Sequence, residues 1–281
     1  MIGFCTDSNS QLPPDLRRRF GVEVVPLTVS VDGTDYLEWV DLDADAFYRG
    51  FAGGAVPSVA TAAPSPGRFA AAYRALAERG ATEILSVHIG AGISGTLNAA
   101  RLAAEAADVP VRLVDTGTAS FGVACCLWEA AEAVAGGADI EGAAAVAEAV
   151  GARTRNVFVV KALDLVRRGG RMGVPVADPG GDDEGVVPVL SMVDGTITVL
   201  GTARTVDEAA DAMAAVVLAG GEHLRVGISV ADAEGAPVRQ ALELRLAGAR
   251  QITDIVRYRV GPSVGAHTGP GTAGAMWYPA L

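Results

Sequence analysis

Four short segments carry residue types able to do chemistry. The first is Gly90-Ala91-Gly92-Ile93-Ser94-Gly95, followed by Thr96. It fits G-x-G-x-x-G between a predicted strand and a predicted helix, and Asp115 stands 20 residues beyond Gly95. That is the context of a dinucleotide site, where glycines let the backbone approach a pyrophosphate and the acid holds a ribose. The same turn also reads as a plain glycine-built link from strand to helix. A third reading is an anion site, in which the Ser94 and Thr96 hydroxyls join free N–H groups at the positive end of the helix dipole. It is not a nucleophile elbow, because G-x-S-x-G needs glycine at 96, where threonine stands.

The second segment is Thr61-Ala62-Ala63-Pro64-Ser65-Pro66-Gly67. It reads as a loop, either a simple connection or a rigid frame that offers the Thr61 hydroxyl to a ligand. The third is Leu165-Val166-Arg167-Arg168-Gly169-Gly170-Arg171. Arginines in a last helical turn with glycine after it make a C-cap that suits the dipole, which explains Arg167 and Arg168. Arg171, beyond the stop, is a candidate contact for an anion or phosphate. The fourth is Gly261-Pro262-Ser263-Val264-Gly265-Ala266-His267-Thr268-Gly269-Pro270-Gly271, read as a loop whose glycines and prolines fix the backbone around His267 and Thr268.

The elements that must hold these segments follow from pattern. A strand at Ile2–Cys5 leads into Thr6-Asp7-Ser8-Asn9-Ser10, then a helix runs from Pro13-Pro14 to Gly21. Val22–Val31 is β-rich, and Asp32-Gly33 turns it back into Thr34–Leu37. Asp43 caps a helix to about Phe51, a loop spans Gly53–Gly67, and an apolar-faced helix carries Phe69, Ala72, Tyr73 and Leu76. Ile84–Ile89, Leu97–Ala107 and Val111–Val114 form a βαβ unit, and helices follow at Ala119–Ala135 and Asp139–Val150. Beyond position 152 come a strand at Asn156–Val160, a short helix Ala162–Arg168, an acidic loop Pro175–Gly185 and a hairpin of Val186–Val193 with Thr196–Gly201. A helix Thr205–Leu218, a strand Leu224–Val230, a helix Ala236–Leu246 and strands Ile252–Val260 and Ala273–Tyr278 complete the chain. The expected class is α/β: a Rossmann-like α/β domain with a parallel sheet over 1–152, then an α+β domain with an antiparallel sheet over 153–281.

Composition narrows the function. The chain has 281 residues, 50% apolar and 5% aromatic, with a net charge of 22 − 33 = −11. Such a field opposes nucleic-acid binding and docking on anionic membrane. Lys161 is the only lysine, so almost every local cation is arginine. No apolar run approaches the ~20 residues of a spanning helix, and the N-terminus lacks the basic start of a signal peptide. Cys5, Cys125 and Cys126 read as buried thiols of a reducing cytoplasm. With His88, His223 and His267 scattered, no metal site is expected.

Taken in order, the four segments resemble those of the DegV family of fatty-acid-binding proteins. Members typically show Thr-Ser-Gln-Pro-Ser-Pro-Gly, a Ser-Gly-Thr turn, Gly-Gly-Arg and His-Thr-Gly-Pro-Gly. This chain has Thr61–Gly67, Ser94-Gly95-Thr96, Gly169-Gly170-Arg171 and His267–Gly271, and its Thr6-Asp7-Ser8 and Val25-Pro26-Leu27 … Tyr36 fit as well. The resemblance implies one long-chain fatty acid in an apolar tunnel of the N-terminal domain, its carboxylate at the domain interface on Thr61 and Ser94. It places Arg171 and His267 near the head group, where they help a separate fatty-acid kinase subunit phosphorylate the acid. It also implies a non-enzymatic carrier with no cofactor, metal or nucleotide site. The family's Ser-Gln is Ala62-Ala63 here, its Ser-Ser is Gly90-Ala91, and its Asp-Ser is Asp115-Thr116; Lys161 replaces an acidic or neutral residue. Lost hydroxyls bear on head-group recognition or chain preference. The alternative is an NAD(P)-dependent oxidoreductase using Gly90–Gly95 and Asp115.

Overall fold

A computed structural model describes residues 1–161, 165–166, 185–193 and 195–280. The chain forms two compact units, Met1–Asp41 with Val59–Arg153, and Leu42–Ser58 with Thr154–Leu281. Leu42–Ser58 thus belongs with the second unit although it lies inside the first in sequence.

The first unit begins with β1 (Ile2–Asp7), α1 (Pro14–Phe20), β2 (Glu23–Val25), β3 (Thr28–Val31) and β4 (Thr34–Leu37). The chain then visits the second unit to form α2 (Ala44–Arg49) and returns as β5 (Val59–Ala62) and α3 (Pro66–Glu78). It closes with β6 (Glu83–His88), α4 (Thr96–Ala104), β7 (Val111–Asp115), α5 (Phe121–Ala135) and α6 (Ile140–Arg153). A four-stranded sheet has the order β2-β1-β6-β7, all parallel. A separate antiparallel sheet has the order β4-β3-β5. Its hairpin turns at Asp32 and Gly33, both at positive φ (50° and 81°), which is the backbone a two-residue hairpin loop demands.

Parallel strands need cover on both faces, because their crossovers place helices there. Phe69, Tyr73 and Leu76 of α3 and Ala99, Ala100 and Ala103 of α4 share a core with Cys5 of β1 and Ile84 of β6. α5 and α6 pack on each other and on β6, and Arg19 of α1 pairs with Glu132 of α5 at 2.8 Å. The alanine-rich character of α5 and α6 lets backbones come close: a Cβ on Gly151 would lie 2.4 Å from the Thr116 carbonyl oxygen. Because β1 feeds β2 on one side while β6 feeds β7 on the other, the strand ends of β1 and β6 flank the topological switch point. Open α/β sheets bind ligands at that place.

The second unit holds β8 (Arg155–Val159), β9 (Val187–Val193), β10 (Thr196–Ala203), α7 (Val206–Leu218), β11 (Leu224–Val230), α8 (Ala236–Leu246), β12 (Ile252–Arg259), α9 (Pro262–Thr268) and β13 (Ala273–Pro279). Its sheet has the order β10-β9-β8-β13-β11-β12, antiparallel throughout except for the β11–β12 pair. Met213 and Val217 of α7 and Leu242 and Leu246 of α8 fill its core against Val157, Ile228 and Trp277. α2 packs on α9, where only glycine fits at 265: a Cβ there would lie 2.5 Å from the Tyr48 hydroxyl. Arg259 adds an ion pair to Asp45 at 2.7 Å.

Two expectations change. The stretch expected as a loop from Gly53 to Gly67 contains β5, so Thr61 is a strand residue rather than a loop hydroxyl. The glycine- and proline-rich stretch after β12, also expected as a loop, contains α9, with Pro262 in its first turn and His267 in its last. The helix Ala162–Arg168 and the loop Pro175–Gly185 lie outside the described residues, apart from Leu165, Val166 and Gly185.

Candidate functional site

β6 ends at His88, and the chain turns through Ile89–Gly95 into α4. The Gly90 carbonyl accepts the N–H groups of Ile93 (2.9 Å) and Ser94 (3.1 Å), which folds the turn on itself. The Ser94 hydroxyl lies 2.8 Å from that of Thr96 and accepts the Thr96 N–H at 3.3 Å. Thr96 is fully buried while Ser94 is half-buried, so Ser94 is the hydroxyl left at the surface of the turn. This is a donor-rich corner at a helix start, suited to a carboxylate.

The two features of the dinucleotide reading have partners inside the fold. A Cβ on Gly90 would lie 2.9 Å from the Gly117 carbonyl carbon, and the Gly90 N–H donates to the Thr118 carbonyl at 2.8 Å. Glycine at 90 therefore serves the approach of two loops. The Asp115 carboxylate accepts the N–H groups of Ala91 (3.1 Å) and Gly117 (3.0 Å), holding those same loops together. Neither residue needs a nucleotide to account for it.

Thr61 sits in β5 opposite Val29 of β3 and is half-buried. Its sheet is tied to the end of β1 through Ser8. The Ser8 hydroxyl accepts the Leu27 N–H at 2.9 Å and donates to the Glu38 carboxylate at 2.5 Å. Leu27 directly precedes β3 and Glu38 directly follows β4. Thr28, the first residue of β3, pairs with both Leu37 and Ala62. Ser8 therefore grips the base of this hairpin, two residues before Val29, the partner of Thr61.

Asp7, the last residue of β1, is fully buried and accepts at both oxygens. Oδ1 takes the Asn9 N–H at 3.1 Å; Oδ2 takes the Ile89 N–H at 3.1 Å and meets His88 Nδ1 at 2.9 Å. His88 Nε2 meets the Ser86 hydroxyl at 2.7 Å, and Ser86 meets the Tyr73 hydroxyl at 3.0 Å. One direction satisfies the whole chain: Tyr73 donates to Ser86, Ser86 to His88, and His88 to Asp7. Phe69 sets its edge against the imidazole, with ring centroids 5.0 Å apart. Ser86, His88 and Asp7 stand in the order of a hydrolase triad. All three are nevertheless fully buried and Tyr73 covers the serine, so the row is a frame rather than a nucleophile's seat. Burial, with a smaller contribution from the Asp7 charge, pushes the neighbouring Cys5 thiol up to about 12, which keeps it protonated and inert.

In the second unit, His267 lies half-buried in the last turn of α9. The backbone after it is fixed. Asp232 Oδ1 accepts the N–H groups of Gly271 (3.0 Å), Glu234 (3.0 Å) and Gly235 (3.2 Å), and the Thr272 hydroxyl is in reach of the Thr268 and Gly269 carbonyls at 3.0 and 2.9 Å. Lys161 gains a structural account: its stem lies over Gly271, where a Cβ would come within 2.7 Å, and its ammonium pairs with Glu234 at 3.2 Å. Arg171 lies outside the described residues. Thr61 and Ser94 thus share one unit and hang from one strand end, whereas His267 belongs to the other.

Sequence reading missed Asp7, Ser8, Glu38, Ser86 and His88 as parts of this arrangement. The available signal was Thr6-Asp7-Ser8, polar residues at the end of a strand that is otherwise apolar. No group of metal-ligating side chains occurs among the described residues, and no helix among them is long and apolar enough to cross a membrane.

A unit with a parallel sheet and a polar corner at its switch point, and a second unit with a mostly antiparallel sheet, define a two-unit mixed α/β protein. A family model described as "Uncharacterised protein, DegV family" matches residues 1–280. A DegV domain-containing protein of Streptomyces coelicolor is 34% identical over 279 residues, covering 98% of this chain and 97% of that one. One from Deinococcus radiodurans is 33% identical over 288 residues, covering 99% and 98%. Among solved structures, a Thermus thermophilus DegV family protein described by its fatty-acid binding is similar at a TM-score of 0.87, with 33% identity and 99% of both chains covered. A fatty-acid (stearic acid)-binding protein of Eubacterium ventriosum is similar at 0.86, with 25% identity over 99% of this chain and 98% of that one. The chain belongs to the DegV family.

Proposed function

We propose that this chain is a cytoplasmic, non-enzymatic carrier that binds one long-chain fatty acid and presents it to a fatty-acid kinase subunit. The carboxylate is held by the Thr61 and Ser94 hydroxyls, and the tail lies in an apolar tunnel of the N-terminal domain, 1–152. Arg171 and His267, from 153–281, serve the phosphoryl transfer that makes an acyl phosphate. The observation that carries this reading is the likeness, along almost the whole chain, to the fatty-acid-binding protein of Thermus thermophilus.

Energetics favour the arrangement. A carboxylate leaving water needs donors in its place, and hydroxyls near a helix start supply them. Each methylene buried contributes about 0.8 kcal/mol, so about 15 of them contribute on the order of 12 kcal/mol before ordering costs. In a chain of net charge −11 those local donors must also overcome the protein's own field.

Native mass spectrometry after gentle purification should find a fatty acid on the protein. Apo mass alone, with no uptake of added palmitate or oleate, would sink the proposal. Thr61→Ala with Ser94→Ala should weaken binding by about a hundredfold or more, as loss of two charge-assisted hydrogen bonds requires. Arg171→Ala and His267→Ala should slow acyl-phosphate formation with a kinase subunit more than they weaken binding.

A further inference from the structure

We propose that Asp7 and Ser8 are positioning residues for the head group, each acting on a different hydroxyl: Asp7 on Ser94 and Ser8 on Thr61. The inference rests on the fatty-acid reading and adds to it two residues that never touch the ligand.

The two routes are short and separate. Asp7 Oδ2 holds the Ile89 N–H, and Ile89 is bonded to Gly90, whose carbonyl in turn holds the Ser94 N–H. Moving Asp7 therefore moves the origin of the Ser94 turn. The Asn9 N–H and His88 are Asp7's other anchors, and through Ser86 and Tyr73 His88 reaches α3, so the carboxylate cannot swing to relieve a shift. Ser8 acts on the opposite side. Its hydroxyl clasps Leu27 and Glu38 at the base of the β3–β4 hairpin, one residue before the row in which Thr28 pairs with Ala62, the neighbour of Thr61. Glu38 is itself 1% exposed and Ser8 2%, so water cannot replace either partner if the other is lost.

Packing alone does not call for this polarity. Apolar residues of similar size at 7 and 88 would fill the space without desolvating a carboxylate, and such exchanges are often neutral or stabilising. A polar frame is retained where geometry must be held to fractions of an ångström, as beneath a binding site. Two adjacent residues at one strand end, each gripping a different element, fix the distance between those elements.

Double-mutant cycles on palmitate affinity test this, with thermal melts run alongside. Asp7→Asn and Ser8→Ala should each weaken binding by about tenfold. The signature is crossed. Asp7→Asn should add almost nothing to Ser94→Ala but act in full on Thr61→Ala, while Ser8→Ala should add almost nothing to Thr61→Ala but act in full on Ser94→Ala. A general loss of stability cannot produce that pattern. Should Asp7→Asn fail to fold, His88→Gln must pair with Ser94 in its place; Glu38→Gln must likewise pair with Thr61. Full additivity in all four double variants overturns the inference while leaving the head group on Thr61 and Ser94. Unchanged affinity in Thr61→Ala and Ser94→Ala overturns the head-group assignment, and the inference with it.

Discussion

At the ends of β1 and β6 the first unit buries Asp7, Ser86 and His88 completely and links them side chain to side chain. The six-stranded sheet of the second unit uses its buried polar residues differently. Asn156 bonds the Met192 backbone at both its oxygen (2.7 Å) and its nitrogen (2.8 Å), and Ser229 reaches the Gly274 carbonyl at 3.2 Å. Those are staples between neighbouring strands. Around α8, Arg257 pairs with Glu243, and Arg245 with Asp207 and Asp211, each pair keeping one well-exposed partner. A staple secures register, whereas a side-chain row crossing from β1 through β6 to α3 fixes where loops begin. The candidate site is found with the second kind of polarity.

The largest expected break in this contrast is His88→Leu. It leaves a buried carboxylate and a buried serine short of partners, at a cost of about 3–5 kcal/mol. Chemical denaturation should show the loss. A cost below about 1 kcal/mol would reduce the row to ordinary surface chemistry. A second effect, comparable only at its full extent, comes from alkali. The Cys5 thiol, raised by burial from 9.0 to about 12, stays protonated in the folded chain while its unfolded counterpart ionises. Its contribution is complete below pH 9 and falls by about 1.4 kcal/mol per pH unit between 9 and 12. Cys5→Ala should remove its share of that slope and leave the share of Cys126, which burial raises likewise. All three cysteines are buried, so none should react with a thiol reagent before unfolding. The smallest effect belongs to the second unit. Arg257 beside Glu243 holds that carboxyl below its ordinary 4.5, so the pair stabilises above that pH and its contribution is lost as pH falls through the lowered value. Because Arg257 is 68% exposed, Glu243→Gln should cost no more than about 1 kcal/mol, and less in high salt. A cost as large as that of His88→Leu would erase the distinction between the units.

Most elements were legible because their signals are local. Pro14 and Gly21 bracket α1, Asp43 and Thr205 cap their helices through side-chain bonds, and Asp32-Gly33 turns its hairpin as its residue types require. β5 was not legible: four residues of alternating half-burial amid glycine and proline become a strand only because β3, about 30 positions earlier, offers a ladder. α9 had a signal, proline in the first turn and histidine in the last, masked by the glycines around it. Gly90 was legible as an obligatory glycine, but its reason, the nearness of Gly117, was not.

By itself the sequence determined the residue types, the order of the four segments, the periodic elements and the likeness to a family. Tertiary structure alone decided the partners: Asp7 with His88 lies 81 positions apart, and Ser8 with Glu38 lies 30 apart. The physical reason is that hydrophobic periodicity is a local property of the chain. Which polar groups meet once water is excluded depends instead on strand order, and β1 has to lie beside β6 before Asp7 has anything to hold.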